Sequence, residues 1–234
     1  MCTVTFVHTE EQVILTSNRD ESIHRSAALP PHIYTINHKR LAFPKDGRSG
    51  GSWFATDSNG ITAIVLNGAE APHTPQGPYR KSRGLLLLDI ISHKDPITAW
   101  KAIAPDRIEP FTILLFRAPD LTVLQWNGTY KKTAPVAART PYILSSSTLY
   151  TEAQQEHKKQ RFNDFLTSHS NITPDDLLQF HQTVKTEDTG SRLPKNPEVP
   201  VATLSITQCI LKKNEKQMRY LQLFPEKKNH TLSF

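Results

Sequence analysis

Met1-Cys2-Thr3-Val4-Thr5-Phe6-Val7-His8 is followed, after the polar Thr9-Glu10-Glu11, by Gln12-Val13-Ile14-Leu15-Thr16-Ser17 and then by Asn18-Arg19-Asp20-Glu21. Both apolar runs are rich in β-branched residues, and the short polar break between them predicts a hairpin over Thr3–His8 and Gln12–Ser17. Cys2 stands at the very start of that hairpin. A small side chain at position two predicts removal of Met1, which would leave Cys2 with its thiol and a free α-amine on one residue. An unperturbed α-amine titrates near pH ~7.7–8.0, so nucleophile and general base could reside together. The bland alternative is that Cys2 is a small packing residue in a first strand.

The rest of the chain is read outward from that hairpin. Ser58-Asn59-Gly60 is a turn signal between Ser52–Asp57 and Ile61–Leu66, predicting a second hairpin. Phe111–Arg117 and Leu121–Asn127 read as strands, with another near Thr129–Thr133, and Val201–Leu211 and Met218–Phe224 close the chain as two more. Arg83–His93 and Ile97–Ile103 read as helices, the second entered through Asp95-Pro96. Glu152–His169 is a long amphipathic helix, and Thr173-Pro174-Asp175-Asp176 caps a short one ending near His181. Pro30-Pro31 and the stretch Pro44–Gly51 predict loop, as do Ala69–Tyr79 and a long mobile segment over Glu187–Pro200. Strands, a helical pair, strands, helices and strands in that order suit two sheets packed face to face with helices outside, all within one domain over 1–234.

Composition narrows the function. The chain of 234 residues carries a net charge of +6, but its basic residues are scattered, so no nucleic-acid surface is expected. No apolar run approaches the ~20 residues of a membrane span, and the N-terminus has neither a basic start nor a long apolar segment. A cytoplasmic protein is the expectation, with its two cysteines, Cys2 and Cys209, as free thiols. The ten histidines are not spaced as metal ligands, so no metal or other cofactor is expected, and the partner is a small-molecule substrate or ligand. Oligomeric state cannot be read from these residues.

The tetrapeptide Asn18-Arg19-Asp20-Glu21 behind Met1-Cys2-Thr3-Val4 resembles the NRDE protein family, also called the transport and Golgi organisation family. Gly50-Gly51-Ser52-Trp53, Ile64–Gly68, Ser82-Arg83-Gly84-Leu85 and Leu144–Leu149 strengthen the resemblance. That family is similar in turn to the N-terminal nucleophile hydrolases of the choloylglycine hydrolase and penicillin V acylase type. The resemblance implies an α+β fold, a four-layer αββα sandwich of two antiparallel sheets, and cleavage of a carbon–nitrogen amide bond of a small acyl-amide substrate. It implies Cys2 as nucleophile, Asp20 as the carboxylate holding the α-amine, Arg19 as the cation favouring thiolate and Asn67 as an oxyanion donor. Asn18 and Ser146 are then candidates for contacting substrate. Ser146 stands where relatives carry Asn, and Leu204 where the hydrolases carry a late arginine. On an extended strand Asn18 and Asp20 share one face and Arg19 takes the other. The resemblance also implies an alternative, a non-catalytic carrier of a small acidic or amphipathic ligand such as haem or an acyl lipid.

Overall fold

The computed structural model of the protein describes residues 3–184 and 200–234. Met1, Cys2 and the expected loop 187–200, apart from Pro200, lie outside them. The described residues form two antiparallel sheets. In chain order the strands are β1 Thr3–His8, β2 Gln12–Ser22, β3 Leu29–Ile36, β4 Lys39–Lys45, β5 Phe54–Asp57, β6 Thr62–Asn67, β7 Phe111–Arg117, β8 Asp120–Trp126, β9 Lys131–Val136, β10 Tyr142–Ser145, β11 Val201–Lys212, β12 Lys216–Gln222 and β13 Lys228–Ser233. One sheet runs β10-β1-β2-β11-β12-β13 and the other β3-β4-β5-β6-β7-β8-β9. The helices are α1 Arg83–Ser92, α2 Pro96–Ala102, α3 Glu152–Ser168 and α4 Pro174–Thr183.

Period-two alternation places the layers. On β1, Val4 and Phe6 join the large core shared with the second sheet, while Val7 belongs to a smaller core with Phe162 of α3 and Phe180 of α4. α1 packs on β5 and β6 across the other sheet, so the order is helices, sheet, sheet, helices. The α+β sandwich expected from the sequence is the fold observed. Each helix starts where its capping residue stands. The Ser82 side chain accepts from the Leu85 N–H and Asp95 from that of Ile97, while Thr151/Gln154 and Thr173/Asp176 form capping boxes.

Three local expectations are corrected. The proline-rich stretch read as loop forms β3 and β4. Pro30 and Pro31 are accommodated because β3 is an edge strand with a register irregularity between Leu29 and His32. Pro44 lies past the β4–β5 pairing, which covers only Leu41↔Asp57 and Ala42↔Thr56. β10 and β13, absent from the sequence reading, are short or polar outer strands; β13 alternates exposed and half-buried residues without an apolar face. β2 does not stop at Ser17 but continues through Asn18–Glu21 to Ser22.

Close packing of backbone on backbone joins the Gly51 segment to the start of α1. A Cβ on Gly51 would fall 2.5 Å from both the Gly84 carbonyl carbon and the Leu85 nitrogen. We expect Gly51→Ala to destabilise the protein by about 1–3 kcal/mol, the range for overpacking a tight site. A urea unfolding midpoint equal to that of the parent chain would contradict this.

Candidate active site

The run of β2 through Asn18, Arg19 and Asp20 divides three neighbouring side chains between two faces of one sheet. Arg19 points between the sheets. Its Nη2 donates to Asp46 Oδ2 at 2.6 Å and its guanidinium lies 4.6 Å over the Trp53 ring. Asn18 and Asp20 point to the α3/α4 layer, as the pleat requires. The sequence argument that Arg19 and Asp20 cannot share a face therefore holds.

On the inner side, Arg19 and Asn67 line one cavity of about 140 Å³, together with Arg25, Asp46, Trp53 and Arg83. Asp46 is its hub. One carboxylate oxygen accepts from Arg19 Nη2 and Arg25 Nε, and the other from Arg25 Nη2, the Arg48 and Ser49 N–H groups and the Ser49 hydroxyl. Burial would raise its pKa. The hydrogen bond from Arg25, the Ser49 N–H and the charges of Arg25 and Arg19 outweigh burial and hold the carboxyl well below the usual carboxylate range. Arg83, in the first turn of α1, pairs with Glu109 at 3.0 Å, and the Ser82–Gly84 segment brings the positive end of that helix to the wall. A sulfur or oxyanion here would meet guanidinium groups and a helix N-terminus, both of which favour negative charge.

Asn67 ends β6, and its carboxamide has no hydrogen-bond partner among the described residues, which leaves it available as a donor. Its backbone oxygen accepts from the Ser146 hydroxyl at 2.7 Å. Gly68, at φ 82°, sits so close to Ser147 and Thr148 that a side chain would collide with them. Ser146 is thus buried support for Asn67, not a residue on the cavity wall, and its expected contact with substrate is corrected.

On the outer side, Asp20 Oδ2 accepts from the Tyr150 hydroxyl at 2.9 Å and Oδ1 from Thr203, its cross-strand partner. Asn18 is corrected as well. It is fully buried, donates to the His181 carbonyl at 3.2 Å and presents Oδ1 to His181 Nδ1. That orientation makes Nδ1 the protonated ring nitrogen, leaving Nε2 to accept from the Thr5 hydroxyl at 2.8 Å. Lys158 is buried next to it, donating to the Val184 carbonyl at 3.0 Å and lying 4.3 Å over the Tyr150 ring. The expected catalytic constellation is therefore split, with Arg19 and Asn67 on the cavity and Asp20 behind the sheet.

Leu204 forms a bulge in β11 between Thr203 and Ser205, and its carbonyl accepts from the Leu223 and Phe224 N–H groups. Its side chain faces inward beside Arg19. Asp46, Arg25 and Arg83 escaped the sequence reading. Arg83 lies inside the quoted Ser82–Leu85 segment and Asp46 just before the quoted Gly50–Trp53 segment, though neither was assigned a role, whereas Arg25 carries no local signal.

The fold is a sandwich of two antiparallel sheets between helical layers, with this cavity between the sheets. Among solved structures the chain is similar to an arginine-to-leucine variant of the conjugated bile acid hydrolase from Clostridium perfringens, with a TM-score of 0.63 and 9% identity over 100% of this chain and 96% of that one. The penicillin V acylase from Agrobacterium tumefaciens gives 0.58 and 9%, covering 100% and 86%. The Caenorhabditis elegans N-acylethanolamine-hydrolyzing acid amidase orthologue gives 0.59 and 9%, covering 88% and 92%. At that identity the likeness is one of fold. No curated protein matches in sequence. The sequence pattern of the Transport and Golgi organisation 2 family matches residues 1–221, and the chain belongs to that family. No helix among the described residues is long and apolar enough to cross a membrane.

Two pH dependences follow from the buried groups. Burial, aided by the Lys158 charge, lowers the His181 pKa to about 3. The neutral ring is favoured in the fold, so its contribution is complete above pH ~6.5 and is lost as pH falls toward the folded value, at about 1.4 kcal/mol per unit. His181→Gln is expected to flatten the fall in the urea midpoint between roughly pH 6 and 4. An unaltered slope would refute the assignment. For Asp46 the depressed pKa means stability that is complete above pH ~4 and lost in stronger acid. Asp46→Ala is expected to cost about 3–5 kcal/mol at pH 7 by leaving the Arg19 charge buried without its partner. Chemical denaturation at that pH checks it.

Proposed function

We propose that the protein is an N-terminal-cysteine hydrolase of carbon–nitrogen amide bonds, with Cys2 as nucleophile. The observation that carries the reading is the cavity that joins Arg19, Asn67 and the start of α1 on the face of the sheet where Val4 and Phe6 point. Thr3, the first described residue of β1, pairs with Asn18, the neighbour of Arg19 on β2. Asp20, held by Tyr150 and Thr203 on the other face of β2, keeps in this proposal the role that the family resemblance gives it, the carboxylate for the α-amine.

In the proposed reaction the α-amine takes the thiol proton and the sulfur attacks the amide carbonyl carbon. Asn67 and backbone N–H groups donate to the tetrahedral oxyanion. The carbon–nitrogen bond breaks, the leaving amine carries off the proton and a thioester remains. Water, deprotonated by the same α-amine, attacks the thioester; the acid departs and the thiol is restored. Arg19 and the helix N-terminus favour the thiolate that begins the cycle.

Cys209 supplies an internal control. It is fully buried, and burial pushes its thiol up to about 12 despite hydrogen bonds from Thr56 and Thr62. Iodoacetamide at neutral pH is therefore expected to modify the native protein once, at Cys2, with a rate that follows a thiol pKa below the ordinary ~8.5. Intact-mass analysis should show Met1 removed. Retention of Met1, or a native protein in which Cys2 resists alkylation, would end this reading.

A further inference from the structure

A separate cavity, of about 570 Å³, shares no wall residue with the one beside Arg19. Its wall comes from the segments that carry His73 to Tyr79, Arg107 to Pro110 and Asn127 to Thr129. Arg80 ties the first two together. Its backbone N–H donates to the Arg107 carbonyl at 3.0 Å, and its guanidinium donates to the Asp106 carbonyl at 2.7 Å and to that of Ala104. Tyr79, next to Arg80, and Arg107 are thereby held in fixed relation to each other. Arg107 itself takes the left-handed region at φ 54°, where a residue with a side chain is strained, and such strain gathers at ligand clamps.

Arg107, Asn127 and His73 each bring to this cavity a polar group that no described residue occupies. The Arg107 guanidinium makes neither an ion pair nor a hydrogen bond among the described residues. Asn127 Oδ1 accepts from the Thr129 and Tyr130 N–H groups, both at 2.9 Å, which leaves Nδ2 as the donor end to spare. His73 Nε2 stands 3.3 Å from Glu109 Oε1, so in the neutral ring Nε2 carries the proton. Nδ1 is then an acceptor, buried and with no partner among the described residues. Pro78, Tyr79 and Pro110 add apolar surface. Apolar walls with a few polar groups are the composition of a small-molecule site.

We propose that this cavity is a second binding site, for a small aromatic carboxylate that also carries a hydroxyl or N–H donor. The carboxylate suits Arg107 and Asn127 Nδ2, the donor suits His73 Nδ1, and the ring suits the surface of Tyr79 and the prolines. Glu109 is already matched by Arg83 at 3.0 Å, and Arg107 has Asp106 beside it in the chain. One guanidinium in that setting favours a singly charged anion over a phosphate dianion. The site stands apart from the hydrolase reading, since neither Arg19 nor Asn67 lines it and no chemistry at Cys2 is involved.

The test is a ligand-observed NMR titration of the full-length protein with 4-hydroxyphenylacetate, with phenylacetate, which lacks the hydroxyl, and with 4-hydroxyphenylethanol, which lacks the carboxylate. The first is expected to saturate one site. Phenylacetate should bind about fivefold more weakly and 4-hydroxyphenylethanol about tenfold more weakly, as loss of a neutral and of a charge-assisted hydrogen bond requires. Arg107→Asn, which tolerates the left-handed backbone, should weaken 4-hydroxyphenylacetate about tenfold and leave 4-hydroxyphenylethanol unchanged. His73→Phe should bring 4-hydroxyphenylacetate down to the affinity of phenylacetate; should that variant fail to fold, the three probes on the parent chain still decide. Absence of saturable binding overturns the site, as does either truncated probe binding as tightly as 4-hydroxyphenylacetate. Full affinity in Arg107→Asn also overturns it, because the acid would then be held elsewhere, as at the arginines of the first cavity.

Discussion

The ion cluster of Arg19, Asp46 and Arg25 is the constraint around which this sandwich is arranged. A guanidinium between two sheets is tolerable only if its charge is matched and its N–H groups are bonded, because the desolvation cost in such a place is several kcal/mol. Asp46 supplies the opposite charge and accepts from Nη2, and it comes from the segment after β4 in the opposite sheet. The pair therefore ties the sheets to each other at the end where β1 begins. Trp53 completes the tie, its ring under Arg19 and its indole N–H donating to Thr207 of β11 at 3.2 Å. The loop that carries Asp46 is itself folded around that carboxylate through the N–H groups of Arg48 and Ser49. Local turn, long-range ion pair and cavity wall are one arrangement of atoms.

Much of this was legible in the residues. The β-branched runs around Thr3–His8, the Asn59-Gly60 turn and the capping residues Asp95, Thr151 and Thr173 each act through local chemistry, and each led to the element observed. The two faces of Asn18-Arg19-Asp20 also followed from the pleat alone. β3 and β4 did not, because proline forbids a ladder hydrogen bond without revealing whether the position needs one, and an edge strand does not. β13 was hidden for a related reason. Its sequence has no apolar side to announce it, and its existence depends on the edge that β12 offers.

The site was readable where it coincides with strand order and obscure where it depends on distant partners. Arg19 and Asn67 reach one cavity because β2 and β6 end near each other in the assembled sandwich. Asn18 was drawn in by proximity along the chain and Ser146 by the position where relatives carry Asn, yet the pleat sends the first to His181 and the second supports a backbone oxygen. Asp46 and Arg25 are separated by 21 positions, and nothing local to either announces that they pair. Shared architecture places the chain among sandwiches of two antiparallel sheets, and the layer of Asn18, Thr5, His181, Tyr150 and Asp20 shows how such a sheet can be braced from the side away from the cavity.

The bulge at Leu204 has a consequence for how this strand can change over time. Thr203 shares a face with Asp20 and Ser205 with Arg19, so one extra residue swaps which parity of β11 looks inward. Losing a single codon there would turn either the three residues before it or the eight after it to the wrong side. The strand can drift by replacement far more easily than by a change of length, and its length is for that reason the trait hardest to alter.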